Sequence, residues 1–493
     1  VIDNRMRTKK VLLTGATGAL GSRLCGDALA QGLPVLALVR APDEQAARQR
    51  LATVLGASGL RHNEGALEVC AGDILRENLA LDGRDLSGVD VVVHCAADVS
   101  FDPAGAESSW QTNVAGTTHV LALAERLGAR MVHVSTAYVA GRRRDRVRED
   151  DLQAGQEFNN AYERTKCHAE QLVRDWSART GLSATVLRPS IVVGDSRNGR
   201  IARFNTLYDI LHAFEIVSRR RVQEPIRVAG RTDATFNFVP VDYFSAAAWR
   251  IVSAGRPGTY HVVHPHPATL GRMADIFRRL FDVDVRFVEE DEFQRVAPTP
   301  AERLYRTASS IYQPYMSGEP VFDRTRIDEV LAGSGLAPPE LDEPFFRTLL
   351  AYARSVDWGR TARAARAPAS PPPWVTTYFE EFLVTRLHQQ LVPDLRGLNV
   401  TFRIRLREVP HCHWALAIRQ GCLEEISSDG LASQCQFTLD LATFEQIVSG
   451  RLSPQKAFFA RRADIDGEVE VALKLVFALG MFFRQYPFES RRT

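Results

Sequence analysis

At 493 residues the chain is too long for one hydrophobic core, and its 45% hydrophobic and 24% charged residues are ordinary for a globular protein. A formal charge of +2 gives no electrostatic reason for nucleic acid or an anionic membrane as the main partner, and no apolar run reaches the ~18 residues that span a bilayer. The seven cysteines lack C-x-x-C spacing, His411-Cys412-His413 has no second ligand cluster, and the N-terminus lacks a signal-peptide core. A reduced, cytoplasmic protein without a metal site is expected.

Lys10 to Thr14 is a short β-compatible run, followed by Gly15-Ala16-Thr17-Gly18-Ala19-Leu20-Gly21 and then by helical spacing from Ser22. This is the pattern of a buried parallel strand, a tight turn and a helix start. Gly15 permits the turn, Gly18 lets backbone N–H groups approach a pyrophosphate, and Gly21 lets the helix pack closely. The helix N-terminus would face the phosphates with unpaired donors and its positive dipole end. The glycines are three apart, unlike G-x-G-x-x-G, and alone they fit any glycine-containing βα turn. The next run, Val35 to Val39, ends at Arg40, about twenty residues after the last glycine, where a ribose-reading side chain belongs. A guanidinium there favours a 2′-phosphate, and so NADPH over NADH. Arg23 and Arg48 are further basic candidates.

Residues 67–73, 89–95 and 131–135 are expected strands, and 19–31, 43–55, 107–127 and 160–180 are expected helices. Their alternation implies a doubly wound, Rossmann-type parallel sheet with helices on both faces. Ligands of such sheets bind beyond the carboxyl ends of the strands. Asp73, Ala96, Ala97, Thr136 and Pro189 all fall just past strand ends, along one crevice. Tyr162 and Lys166 are four apart on the 160–180 helix and so share a face. The ammonium is expected to lower the phenol's pKa and to hold the nicotinamide ribose, with Thr136 reaching the substrate oxygen from the other side.

From 195 to 360 the pattern becomes irregular, as a smaller substrate-binding part would. Phe204, Leu207, Tyr208, Leu211 and Phe214 form a helical stripe that reads equally as core or as one wall of an apolar substrate pocket. Residues 361–373, ending in three prolines, have the composition of a semi-rigid linker between a first domain (1–360) and a last one (374–493). In the latter, 398–407 and 414–419 read as antiparallel strands and 436–440 as a third. A helix through Phe444, Ile447 and Val448 and an apolar helix over 469–483 complete a small α+β domain.

Residues 9–250 resemble the extended short-chain dehydrogenase/reductase superfamily, and within it the fatty acyl-CoA reductase and thioester-reductase branch. The strings that carry the resemblance are Thr14 to Gly21, His94 to Phe101, Asn113 to Thr117, His133 to Val139, Tyr162 to Lys166 and Arg188 to Val192. The resemblance implies Thr136, Tyr162 and Lys166 as the catalytic set, with Asn113 as a structural or proton-relay member. It also implies Asp73 and Ile74 beside the adenine and Ala96 and Ala97 along the cofactor, a cleft to which Pro189 and Ile191 are added. Epimerases and steroid dehydrogenases share most of these strings. The last domain resembles the sterol carrier protein 2 family through Phe437 to Asp440, Phe444 to Gly450, Leu452 to Phe458 and Ile465 to Gly467. Such domains enclose an apolar tunnel and have no chemistry of their own.

The expected activity is NADPH-dependent reduction of a long-chain or polyketide-like acyl thioester, on CoA or an acyl carrier protein, to an aldehyde or alcohol. A dehydrogenase or ketoreductase of a steroid or other lipid alcohol is the alternative enzyme, and a lipid-binding protein without catalysis the alternative class.

Overall fold

Seven mostly aliphatic runs pair into one all-parallel sheet in the computed structural model. They are β1 (Lys10–Thr14), β2 (Val35–Val39), β3 (Leu67–Ala71), β4 (Val89–His94), β5 (Arg130–Val134), β6 (Ala184–Pro189) and β7 (Gly258–Val262), in the order β7-β6-β5-β4-β1-β2-β3. The structure describes residues 10–59, 64–101, 106–204, 206–219, 224–359, 371–391, 397–409, 413–428, 431–459 and 462–489. Most of the expected linker, and His411 and Cys412, lie outside them. Among the described residues no group of three or more His, Cys, Asp or Glu is placed to hold a metal, and no helix is long and apolar enough to cross a membrane.

Both faces of the sheet are covered, so its strands are apolar throughout rather than alternating. Val11, Leu13, Val35, Ala37 and Val39 pack on one side with α1 (Ala19–Ala30) and α2 (Glu44–Ala57). Leu12, Leu36 and Leu38 pack on the other with α3 (Gly116–Leu127) and α4 (Ala161–Thr180). The period of two along each strand divides the two cores.

The structure refines the sequence reading of the first unit. Residues 107–127 are helical throughout as expected, but Gln111–Ala115 is a π-helical turn between Ala106–Trp110 and α3. The residues from 195 to 360 are not all substrate-binding part. The helix α6 (Val241–Ala254) packs Tyr243, Phe244, Ala247 and Ile251 into the first core, and β7 closes the sheet edge. The indole of Trp249 donates to the Leu24 carbonyl at 3.2 Å. Before α6 the chain builds α5 (Leu207–Arg219), and after β7 come α7 (Leu270–Phe281) and α8 (Pro300–Ser309). Short parallel pairs join Ile191–Val193 to Phe238–Pro240 and Ile226–Ala229 to Val285–Val288.

The chain divides into two compact units, Val1–Ser355 and Val356–Thr493. In the second unit β8 (Val400–Leu406), β9 (His413–Arg419), β10 (Cys422–Ser427), β11 (Cys435–Leu439) and β12 (Ala463–Gly467) form a sheet in the order β10-β9-β8-β11-β12. The central β8–β11 pair is parallel and the others antiparallel. Pro373 is not linker but the first residue of a helix, Pro373–Thr377. Its continuation sets the Phe379 ring 4.2 Å from Trp414 and 5.5 Å from Phe444, with all three nearly parallel.

Candidate active site and cofactor cleft

The turn after β1 is shaped by two close approaches. Gly15 has φ +74°, and a Cβ there would lie 2.5 Å from the Ala96 nitrogen. A Cβ on Gly21 would lie 2.1 Å from the Gly15 carbonyl oxygen, so the third glycine packs on the turn rather than on the strand. Gly18 caps α1 in extended conformation and donates to the Gly15 carbonyl at 2.9 Å. Thr17, Gly18, Ala19 and Leu20 remain partly exposed at the helix start, where unpaired N–H groups and the dipole favour an anion. This cradle fits the diphosphate of a dinucleotide.

Beneath the cradle runs a buried polar chain. The Thr117 hydroxyl donates to the Asn113 carbonyl at 2.6 Å, so its oxygen accepts from His94 Nε2 at 3.1 Å. His94 Nδ1 is then the acceptor for the Thr14 hydroxyl at 2.7 Å, and Thr14 accepts the Ala96 N–H at 3.3 Å. Burial pushes the His94 pKa down to about 3, which agrees with this single neutral tautomer. Asn113 accepts from the Asp98 N–H at 2.8 Å and donates to the Asp98 carbonyl and to Thr165 on α4. Its amide ties the 96–101 loop to α4.

The helix α4 starts at Asn160, whose side chain accepts the Glu163 N–H at 3.0 Å, a cap worth about 1 kcal/mol. Its middle is held by Glu170, which pairs with the fully buried Arg188 through two guanidinium nitrogens and accepts from the Ser135 hydroxyl. Tyr162 and Lys166 are thereby fixed over the ends of β5 and β6. The Lys166 ammonium donates to the Val134 carbonyl at 2.7 Å and lies 3.3 Å from His133 Nε2. Burial lowers its pKa to about 8. Thr136, two residues beyond β5, makes a long 3.5 Å contact to the Pro189 carbonyl and lies beside the Tyr162 phenol. Burial holds that phenol above its ordinary pKa, and the Thr136 contact is the main opposing influence. Lys166 does not lower the phenol's pKa as expected, because its hydrogen bonds go to Val134 and His133 instead. The Tyr162 phenol therefore keeps its proton in this state.

Arg40 is exposed just past β2, and its carbonyl accepts from Arg50 Nη1 at 2.6 Å. Burial, then Arg50 and Arg40, depress the Arg203 pKa, so three guanidinium groups share one neighbourhood. Arg23 and Arg48 are otherwise engaged, the first with Asp27 and Asp195 and the second with Glu44. Arg50 and Arg203 escaped the sequence reading, since neither belongs to a motif; Arg50 lies ten residues after Arg40, on the face of α2 that returns to the strand end. Asp73 folds on itself, accepting the Leu75 N–H at 3.0 Å, and the buried Ile74 accepts from His119 through its carbonyl. Ala96 and Ala97 are half-buried beside the turn. Pro189 ends β6, while Ile191 lines an apolar cavity.

Aromatic rings frame Tyr162. Phe101 lies 5.7 Å from it and 6.4 Å from Tyr315, whose hydroxyl donates to Glu163 at 2.5 Å. Tyr138 stands edge-on to Tyr315 and donates to Glu319 at 3.0 Å. Burial raises the Glu319 carboxyl to about 8, which keeps it largely neutral at pH 7.

Residues 13–248 match the family model described as Male sterility protein, and residues 380–480 match the SCP-2 sterol transfer family. The first unit therefore carries a domain of the male sterility type, and the second one of the SCP-2 type. The terminal R domain of the myxalamid PKS-NRPS pathway is similar at 28% identity and a TM-score of 0.61, over 72% of this chain and 92% of that one. Among curated relatives, Carboxylic acid reductase of Segniliparus rugosus is 30% identical over 53% of this chain and 25% of its own length. Sterol demethylase protein B of Methylococcus capsulatus is 29% identical over 53% of this chain and 71% of its length. Nonribosomal peptide synthetase asaC of Aspergillus flavus is 30% identical over 52% of this chain. The chain spans about a quarter of that synthetase and of the carboxylic acid reductase.

Proposed function

We propose that the chain is an NADPH-dependent reductase of an apolar acyl thioester, carried on CoA or a carrier protein, that yields an aldehyde or alcohol. The coarser statement, an NAD(P)-dependent acyl reductase with a lipid-binding module, follows from the two matched families. The observation that supports reduction most is the Tyr162 phenol beside Thr136, with Lys166 buried on the Val134 carbonyl, and the three guanidinium groups near Arg40 support the NADPH part of the reading. When bound, the dinucleotide supplies the hydride. Tyr162 and Thr136 donate to the carbonyl oxygen as negative charge develops there, a stabilisation that is largest in a dry site. Lys166 holds the nicotinamide ribose and Arg40, with Arg50 and Arg203, the 2′-phosphate. Collapse of the tetrahedral centre breaks the C–S bond and releases the thiol. The sterol-carrier-like unit binds the apolar part of the substrate or product, and its place on the same chain raises local supply to as much as about millimolar.

A second reading is supported by the likeness to Sterol demethylase protein B together with the sterol-transfer match. In it the same three residues serve a steroid or other lipid alcohol or ketone. One experiment separates the two: NADPH absorbance and free thiol followed together on the full chain, over acyl-CoA, acyl-carrier-protein and 3-ketosteroid substrates. Thiol released in step with NADPH oxidation supports the thioester reading. NADPH oxidation on the ketosteroid without thiol release supports the other.

A further inference from the structure

The first unit contains a cavity that the chemistry above does not use. It lies among α5, α7 and the strands 226–229 and 285–288, with Phe214, Met273, Phe277 and Phe287 among its walls. Among the described residues that line it, only Thr206 and Tyr305 carry a side-chain oxygen or nitrogen. The free volume is about 50 Å³, room for about four water-sized groups at about 10–15 Å³ each. Water would find few partners there, and apolar cavities of this kind stay dry. Leaving one empty costs stability, because its lining loses packing contacts.

Its position ties it to the catalytic cleft on two sides. Ile191, part of the lining, follows closely on Pro189, whose carbonyl accepts from Thr136. Met316, also in the lining, follows Tyr315, which packs with Phe101 against Tyr162. The α5 stripe divides accordingly. Leu207, Ile210 and Phe214 face the cavity, whereas the Tyr208 hydroxyl accepts the Gly194 N–H at 2.9 Å on another side of the helix.

We propose that this cavity seats the distal, unsubstituted end of the substrate's acyl chain and so sets chain-length selection. The inference rests on the thioester-reductase reading for its occupant, but its location is given by the cavity alone. Each methylene buried there raises kcat/KM about fourfold (about 0.8 kcal/mol). About four such groups give a rise on the order of 100-fold, followed by a plateau once the volume is filled. A hydroxyl at the chain terminus reverses most of that gain, because the walls offer it almost no partner.

The test uses the full chain with thioesters from acetyl to palmitoyl, on CoA and on phosphopantetheine, and terminally hydroxylated counterparts. The ratio of long- to short-chain kcat/KM is read within each variant. Ala274→Phe, which fills the cavity from α7, should flatten the rise, and Met273→Ala, which enlarges it, should move the plateau to longer chains. Calorimetric binding of the same thioesters is the second readout, and NADPH binding reports whether each variant is folded. An unchanged slope in Ala274→Phe together with an unmoved plateau in Met273→Ala overturns the proposal. If Ala274→Phe does not fold, the plateau in Met273→Ala decides. If no thioester is reduced at all, the thioester reading fails. The cavity is then judged by binding: affinity increments per methylene that vanish in Ala274→Phe uphold it, and increments that persist there reject it.

Discussion

The Lys166 ammonium donates to the carbonyl of Val134 at 2.7 Å, two residues before Thr136. One strand end therefore sets the register of both groups, because β5 holds the lysine through its last carbonyl and presents the threonine just beyond. The bond also leaves Lys166 buried, with its pKa near 8 rather than at its ordinary 10.5.

That pKa makes cofactor binding pH-dependent. The ammonium form is populated below about pH 8, so NADPH affinity should be full there and weaken as pH rises through that value. Lys166→Met should bind more weakly and lose the dependence. The stability effect has the opposite sense. The unfolded chain holds this proton up to about 10.5, so the burial penalty is complete below pH 8 and is relieved between about 8 and 10.5. Lys166→Met should accordingly be more stable than the unmodified protein near neutrality, by about 2–3 kcal/mol, with the gain shrinking at high pH. Titrations of NADPH and urea midpoints across this range check both.

Replacing Tyr162 with Phe should remove turnover while leaving NADPH affinity within about a factor of two. The phenol supplies a proton and oxyanion stabilisation, together about 3–5 kcal/mol, a loss on the order of 10²–10⁴ in kcat. Thr136→Val should cost less. A Phe variant with the original rate would remove Tyr162 from the reaction.

The Arg40, Arg50 and Arg203 neighbourhood should confer preference for NADPH over NADH. Arg40→Ala is expected to erase most of it, by weakening NADPH about ten- to a hundredfold while NADH changes little, because a guanidinium–phosphate bond is charge-assisted. Arg50→Ala should have a smaller effect, since Arg50 also holds the Arg40 carbonyl. Paired titrations of both cofactors check this.

Arg188 and Glu170 form a pair with no solvent exposure at either side chain. Arg188→Ala would leave Glu170 with Arg174, at 2.8 Å, as its remaining cationic partner and should destabilise the first unit by about 1–3 kcal/mol. Glu170→Gln, which leaves the fully buried Arg188 guanidinium without an anionic partner, should cost more, about 3–5 kcal/mol. Chemical unfolding followed by fluorescence of Trp176 and Trp249, both buried in this unit, is the measurement.

The architecture of the first unit was legible because parallel strands buried on both faces leave continuous apolar runs, as Val35 to Val39 does. Alternation with helices then constrains the rest. The position of α6 and β7 was not legible, since a lone helix–strand pair after an irregular stretch carries no mark of the sheet edge it joins. In the cleft, Tyr162, Lys166 and the glycines stood out by spacing. Glu170, Arg50 and Glu319 did not, because each matters through a residue distant in sequence: Arg188, Arg40 and Tyr138 respectively. The raised phenol shows the same limit. Spacing places an ammonium one turn from a tyrosine but does not show that a backbone carbonyl has already claimed it.

The buried chain from Thr14 through His94, Thr117 and Asn113 to Thr165, whose hydroxyl donates to the Tyr162 carbonyl, has a kinetic consequence. Each link as far as Thr165 is buried, so opening one element would strand the polar groups of the next. The nucleotide turn and the helix bearing Tyr162 should therefore open as a single cooperative unit, with amide protons of β1, α3 and the first turns of α4 exchanging with deuterium at a common rate.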